Sequence, residues 1–159
     1  MAFELTSPAF QHNGTIPARY TGDGAELSPA LEWQGVPEAA QSLALIVDDP
    51  DAPDPDQPRE REVHWLVYNL PAEDGGLPEG VTAAALPEGA SEGLNGGHSV
   101  GYMAPLPAVG KHRYFFRLYA LAAPLSETGV PFDRGALERA MSGLVLAHTE
   151  LVGLYRRPE

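Results

Sequence analysis

The chain has 159 residues, of which 22 are acidic and 10 basic, giving a formal net charge of −12 at neutral pH with histidine uncharged. That balance repels the phosphate backbone of nucleic acids and anionic membrane surfaces, and no basic cluster beyond GKHRY and YRRPE offsets it. The absence of cysteine removes disulfides, zinc–thiolate sites and thiol catalysis, and no run approaches the roughly 18 apolar residues of a membrane span.

The opening MAFELTSPAF lacks a basic region followed by an apolar stretch, so a cytoplasmic location without stable membrane insertion is expected. The length suits one domain, residues 1–159, with apolar residues spread from Phe3 to Tyr155 and no repeat at solenoid spacing. Sixteen prolines and 17 glycines leave room for many short strands and few helices, so the fold class is mainly β.

In chain order, SLALIV (42–47) is apolar on both faces and reads as a central strand between two layers. The acidic, proline-rich stretch that follows reads as a loop over 49–61. EVHWLVYNL (62–70) is the next strand, and simple alternation puts His64, Leu66, Tyr68 and Leu70 on one face. Residues 86–111 form a second long loop, and loops of that length in a compact domain are more often functional than idle. HRYFFRLYAL (112–121) puts His112, Tyr114, Phe116 and Leu118 on one side and Arg113, Phe115, Arg117 and Tyr119 on the other. One helix is expected after Asp133, a good N-cap, with Leu137, Ala140, Met141 and Leu144 at helical spacing and Gly143 near its end. VLAHTELVGLYR (145–156) is the last strand.

Three chemistries compete for the polar residues. DPDAPDPDQPRE places acids at the first, third and twelfth positions of a calcium-binding EF-hand, but Asp54 stands where glycine permits the sharp turn and prolines flank it. GHSVG (97–101) matches a nucleophile elbow, with Ser99, Asp133 and His148 in hydrolase order. The elbow needs an apolar strand before it and a helix after it, and SEGLNG and YMAPLPAVG supply neither. The third reading joins Asp49, His64, His112 and Tyr114 at one end of a sheet. There His and Tyr donors would take a phosphate or carboxylate, and the acids would bind hydroxyl or ammonium groups or fix an imidazole tautomer.

DDPDAP, HWLVYNLP and GYMAPLP leading into GKHRYFF, in this order and spacing, resemble the phosphatidylethanolamine-binding protein family in its bacterial Raf kinase inhibitor-like branch. IPARYTGDGAELSPALEW and VLAHTELVGLYRR extend the likeness over nearly the whole chain. The resemblance implies a Greek-key antiparallel β-sandwich with one or two short helices and a pocket at one end for phosphate-like anions and head groups. Carried over by motif, the ligand-binding residues are Asp49, Asp51, Pro53, His64, Ala104, His112 and Tyr114, with Ala52–Pro53 a candidate cis peptide. Asp54 and Asp56 read as solvated, and Arg113 as an ion-pairing or packing residue.

The chain departs from the family pattern at Ala104, where glycine is usual, at Leu106–Pro107–Ala108, and at Leu144, where the branch often has histidine. The expected partner is a small anionic ligand: phosphate, a phosphorylated head group or a carboxylate. A regulated protein partner and a homodimer are further expectations of the resemblance. No cofactor, metal or catalytic residue is expected. A surface-acting kinase or protease inhibitor is the alternative function, and a hydrolase the third.

Overall fold

The computed structural model describes residues 2–158. Its strands are β1 (Glu4–Thr6), β2 (Gly14–Thr15), β3 (Leu31–Gln34), β4 (Ser42–Asp54), β5 (Gln57–Leu70), β6 (Gly75–Leu77), β7 (Ser91–Glu92), β8 (His112–Leu121) and β9 (Val145–Tyr155), and its helix is α1 (Arg134–Met141). A small sheet has the order β1-β3-β6, and a large one the order β2-β9-β8-β4-β5-β7. Pairing is antiparallel except for β2 against β9. The β4–β5 hairpin and the antiparallel pair β8–β9, which is joined through α1, thus lie side by side with β4 central, as its two apolar faces require.

Each face of β4 packs a separate core. Leu43, Leu45 and Val47 join Trp65, Val67, Tyr114, Phe116 and Leu118 beneath the small sheet, which contributes Leu5, Leu31, Trp33 and Leu77. Ala44 and Ile46 face the other way, toward Leu66, Tyr68, Leu125, Phe132, Leu137 and Met141. The last two are the buried residues of α1, whose first turn is capped by Asp133 accepting from the Ala136 N–H at 2.8 Å. The helix stops at Met141, ahead of Gly143 at φ +80°, so Leu144 packs on this core from beyond the helix rather than from within it.

Two expectations need correction. Residues 49–61 are not a loop: β4 and β5 stay paired out to Asp54↔Gln57, leaving only a tight turn at 55–56. Nor does β5 alternate simply. Val47 and Asp48 pair with Trp65 and Val63, so His64 is an extra residue, a β-bulge. A second bulge precedes Leu70, where Asn69 takes φ +56°. His64 therefore shares its face with Trp65, Val67 and Leu70, while Leu66 and Tyr68 enter the opposite core.

The 86–111 stretch carries β7, a bridge between Leu94 and Val100, and a run of backbone hydrogen bonds to β5: Gly93 N–H to Leu66 O, Gly96 N–H to Val63 O and Met103 N–H to His64 O. Asn95 knots the turn between them, accepting from the Gly97 and Ser99 N–H groups and donating to Gly101 O. The segment is thereby fixed as a wall beside the start of β5.

Candidate functional site

At this end of the large sheet lies a cavity of about 560 Å³, open to solvent, whose walls include Asp49, Pro53, Glu62, His64, His112 and Tyr114. β4 supplies Asp49 and, across the cis Ala52–Pro53 bond, Pro53. β5 supplies Glu60, Glu62 and His64, and β8 supplies His112 and Tyr114. The 95–108 segment closes the side with Asn95, Tyr102, Met103 and Ala104.

His112 is 2% exposed and both its nitrogens are engaged: Nδ1 lies 2.5 Å from Asp49 Oδ2, and Nε2 lies 2.8 Å from Val109 O. A carbonyl only accepts, so Nε2 carries a proton, and the Nδ1–Asp49 contact holds one further proton between imidazole and carboxylate. Asp49 also accepts from the Asp51 N–H at 2.7 Å. Burial is the largest influence on this carboxyl and raises its pKa above the ordinary range, against the opposing pull of His112.

His64 differs. Its Nδ1 donates to Met103 O at 2.6 Å, which leaves the Nε2 lone pair facing the cavity with no hydrogen-bond partner. Burial lowers the His64 pKa, so the ring is neutral and presents an acceptor rather than a donor. The His64 ring meets Tyr114 edge-on at 5.2 Å, and His112 stacks on Tyr114 at 6.4 Å. Burial followed by the charge of Asp49 raises the Tyr114 pKa, so its hydroxyl keeps its proton.

Asp51 departs from the expected position. Its carboxylate is not among the groups lining the cavity; it accepts from the Arg113 backbone N–H, Nε and Nη2 at 2.9–3.0 Å. The guanidinium lowers the Asp51 pKa. The bulge between Asp49 and Ala52 breaks the two-residue period that would have aligned the two acids. Arg113 is the ion-pairing residue the sequence indicates. Asp48 points to the opposite face, buried 3.6 Å from Arg117 and 3.8 Å from Arg61.

The elbow residues do not assemble. Ser99 reaches the cavity rim, but the Asp133 carboxylate caps α1, and His148 pairs with Tyr119 in the β8–β9 ladder. Tyr119 is seven residues along β8 from His112, roughly 23 Å at strand rise. Sequence reasoning overlooked Glu60, Glu62 and the Met103 carbonyl. Glu62 was within reach, because it precedes His64 by two on a strand and so shares its face.

A central large sheet, a helix on its far face and a cavity between DPDAP and the start of HRYFF form an arrangement found in other proteins. The sequence pattern of the family described as phosphatidylethanolamine-binding protein matches residues 6–156. A UPF0098 protein of Methanothermobacter thermautotrophicus is 47% identical over 154 residues, covering 96% of this chain and 98% of its own. A phosphatidylethanolamine-binding protein homologue from Chlamydia trachomatis superposes with a TM-score of 0.89 at 39% identity, covering 99% of both chains. YbcL of Escherichia coli, described as a member of the mammalian family, gives 0.88 at 27% identity, covering 99% of this chain and 100% of its own. With the motifs, the sheet order and these likenesses in agreement, the chain belongs to the phosphatidylethanolamine-binding protein family.

Proposed function

We propose that this chain is a small-molecule-binding protein whose cavity receives a phosphorylated head group that also carries an ammonium or hydroxyl group. The observation that carries the reading is the meeting of Asp49, His64, His112 and Tyr114, from three strands, around one cavity. The Tyr114 hydroxyl supplies a donor for a phosphate oxygen. Asp49, Glu60, Glu62 and His64 Nε2 supply acceptors, which favour a ligand with donors of its own over a bare dianion. Leu106, half exposed at 50% where it lines the cavity, offers an apolar edge through which occupancy could be read by a protein partner.

The test is a titration of chelator-treated protein with inorganic phosphate, acetate and phosphoethanolamine, following the imidazole resonances of His64 and His112. Saturable shifts are expected, with phosphoethanolamine binding at least about tenfold more tightly than phosphate, about 1.4 kcal/mol. Tyr114→Phe should weaken the phosphoryl ligands and leave the fold intact. Two silent histidines in a folded protein would sink the reading.

A further inference from the structure

Asp49 and Glu62 are direct cross-strand partners in the β4–β5 ladder, and both side chains line the cavity. Like charges placed opposite each other on neighbouring strands are destabilising, the more so where water is excluded. Asp49 is 2% exposed and Glu62 half-buried, and apart from the His112 ring against Asp49 the basic side chains nearby serve other acids: Arg113 holds Asp51, and Arg117 and Arg61 lie near Asp48 on the opposite face. No lysine or arginine is among the residues that line the cavity. Beside this pair stands His64, 3% exposed, its Nε2 without a hydrogen-bond partner. One donor atom from each of the three residues lies within 4.8 Å of the other two.

A buried imidazole lone pair and two carboxylates, with no lysine or arginine beside them, match a recognised donor set. A metal-binding histidine commonly fixes its ring by donating its other N–H to a backbone carbonyl, as His64 does to Met103 O. The coordinating carboxylate is in turn hydrogen-bonded, as Asp49 is to His112, and each of its oxygens retains a second lone pair. We infer that Asp49, Glu62 and His64 form a binding site for a divalent transition-metal ion of the zinc class, with its remaining coordination positions open to the cavity.

One nitrogen and two oxygen ligands suit zinc, cobalt or manganese and are a poor match for calcium, which takes six to eight oxygens. Donors around a tetrahedral ion with bonds of about 2.0–2.1 Å stand about 3.4 Å apart, so the triad must contract. Glu62, the least buried of the three, is the member free to swing inward. The inference stands apart from head-group binding, and its test uses metal alone.

Metal-free protein in phosphate-free buffer is titrated with ZnCl₂ by calorimetry, and in parallel with CoCl₂ while visible absorption is followed. One strong site is expected, with the ¹⁵N resonance of His64 Nε2 moving on zinc addition while the Nδ1 proton is retained. Glu62→Gln keeps the side-chain shape and should lower zinc affinity at least about tenfold. It should also raise the stability of the metal-free protein by removing the opposed charges. His98→Gln alters an exposed imidazole and should change neither. Equal zinc affinity in wild type and Glu62→Gln, zinc uptake without a shift at His64, or no binding at about 100 μM zinc overturns the site. Should Glu62→Gln fail to fold, the His64 resonance of the wild-type protein decides the matter.

Discussion

Three donors converge on Glu79: Arg19 Nε and Nη2 at 2.9 Å each and the Tyr20 hydroxyl at 2.6 Å. The Arg19 hydrogen bond, then that of Tyr20, brings the carboxyl down to about 2. A carboxyl depressed in the folded state adds stability that is complete above its unfolded value and disappears as pH falls through its folded one. Glu79→Gln should therefore have a lower thermal midpoint than wild type at pH 6, and the gap should close between about pH 4.5 and 2. A gap unchanged at pH 2 would show that the residue acts by packing instead. The pair is solvent-facing, so the effect should be small and should shrink with salt.

At the scale of the element, β9 is constrained by a residue without a side chain. A Cβ at Gly153 would lie 2.5 Å from Ile16 Cγ1 and 2.8 Å from Phe10 Cε2, because β2 pairs in parallel at this position. Gly153→Ala should cost about 1–3 kcal/mol in urea denaturation, as overpacking of a filled core does. A wild-type midpoint would mean that Ile16 yields freely. Elements of this kind differ in how far the sequence discloses them. β8 was legible residue for residue, since its alternation is uninterrupted from His112 to Leu121. The outer half of the β4–β5 hairpin was not, because aspartate and proline are depleted in strands and only the cross-strand partner shows that they pair. The bulges at His64 and before Leu70 were equally hidden, since an extra residue leaves no local mark on composition. Within the site, the acids, imidazoles and phenol were legible as residue types, whereas Met103 acts through a backbone carbonyl that any residue could supply.

Across the whole molecule, 22 acids oppose 10 basic residues. At low ionic strength this excess works against the compact state. Raising NaCl from about 10 mM to 150 mM shortens the screening length from about 30 Å to 8 Å, and the thermal midpoint should rise. A fall would assign the larger weight to the ion pairs that salt also weakens. The same excess surrounds the cavity, where Glu26, Glu60 and Glu62 add to Asp49, so any anionic ligand approaches against the field unless it brings or meets a cation.

The central strand contains an ambiguity that its neighbours resolve. From Leu43 to Val47 every position is apolar, and aspartate follows at both 48 and 49, so sliding β4 by one residue would exchange its two faces while hardly altering their chemistry. β8 admits no such shift, with Arg113 and Arg117 confined to one side and His112 to the other, and the kinks at His64 and Asn69 lock β5. The address to which the acidic motif is delivered is thus written in the flanking strands. Two relatives could share DPDAP letter for letter and, through a single inserted or deleted residue beside Asn69, present opposite carboxylates to the solvent opening.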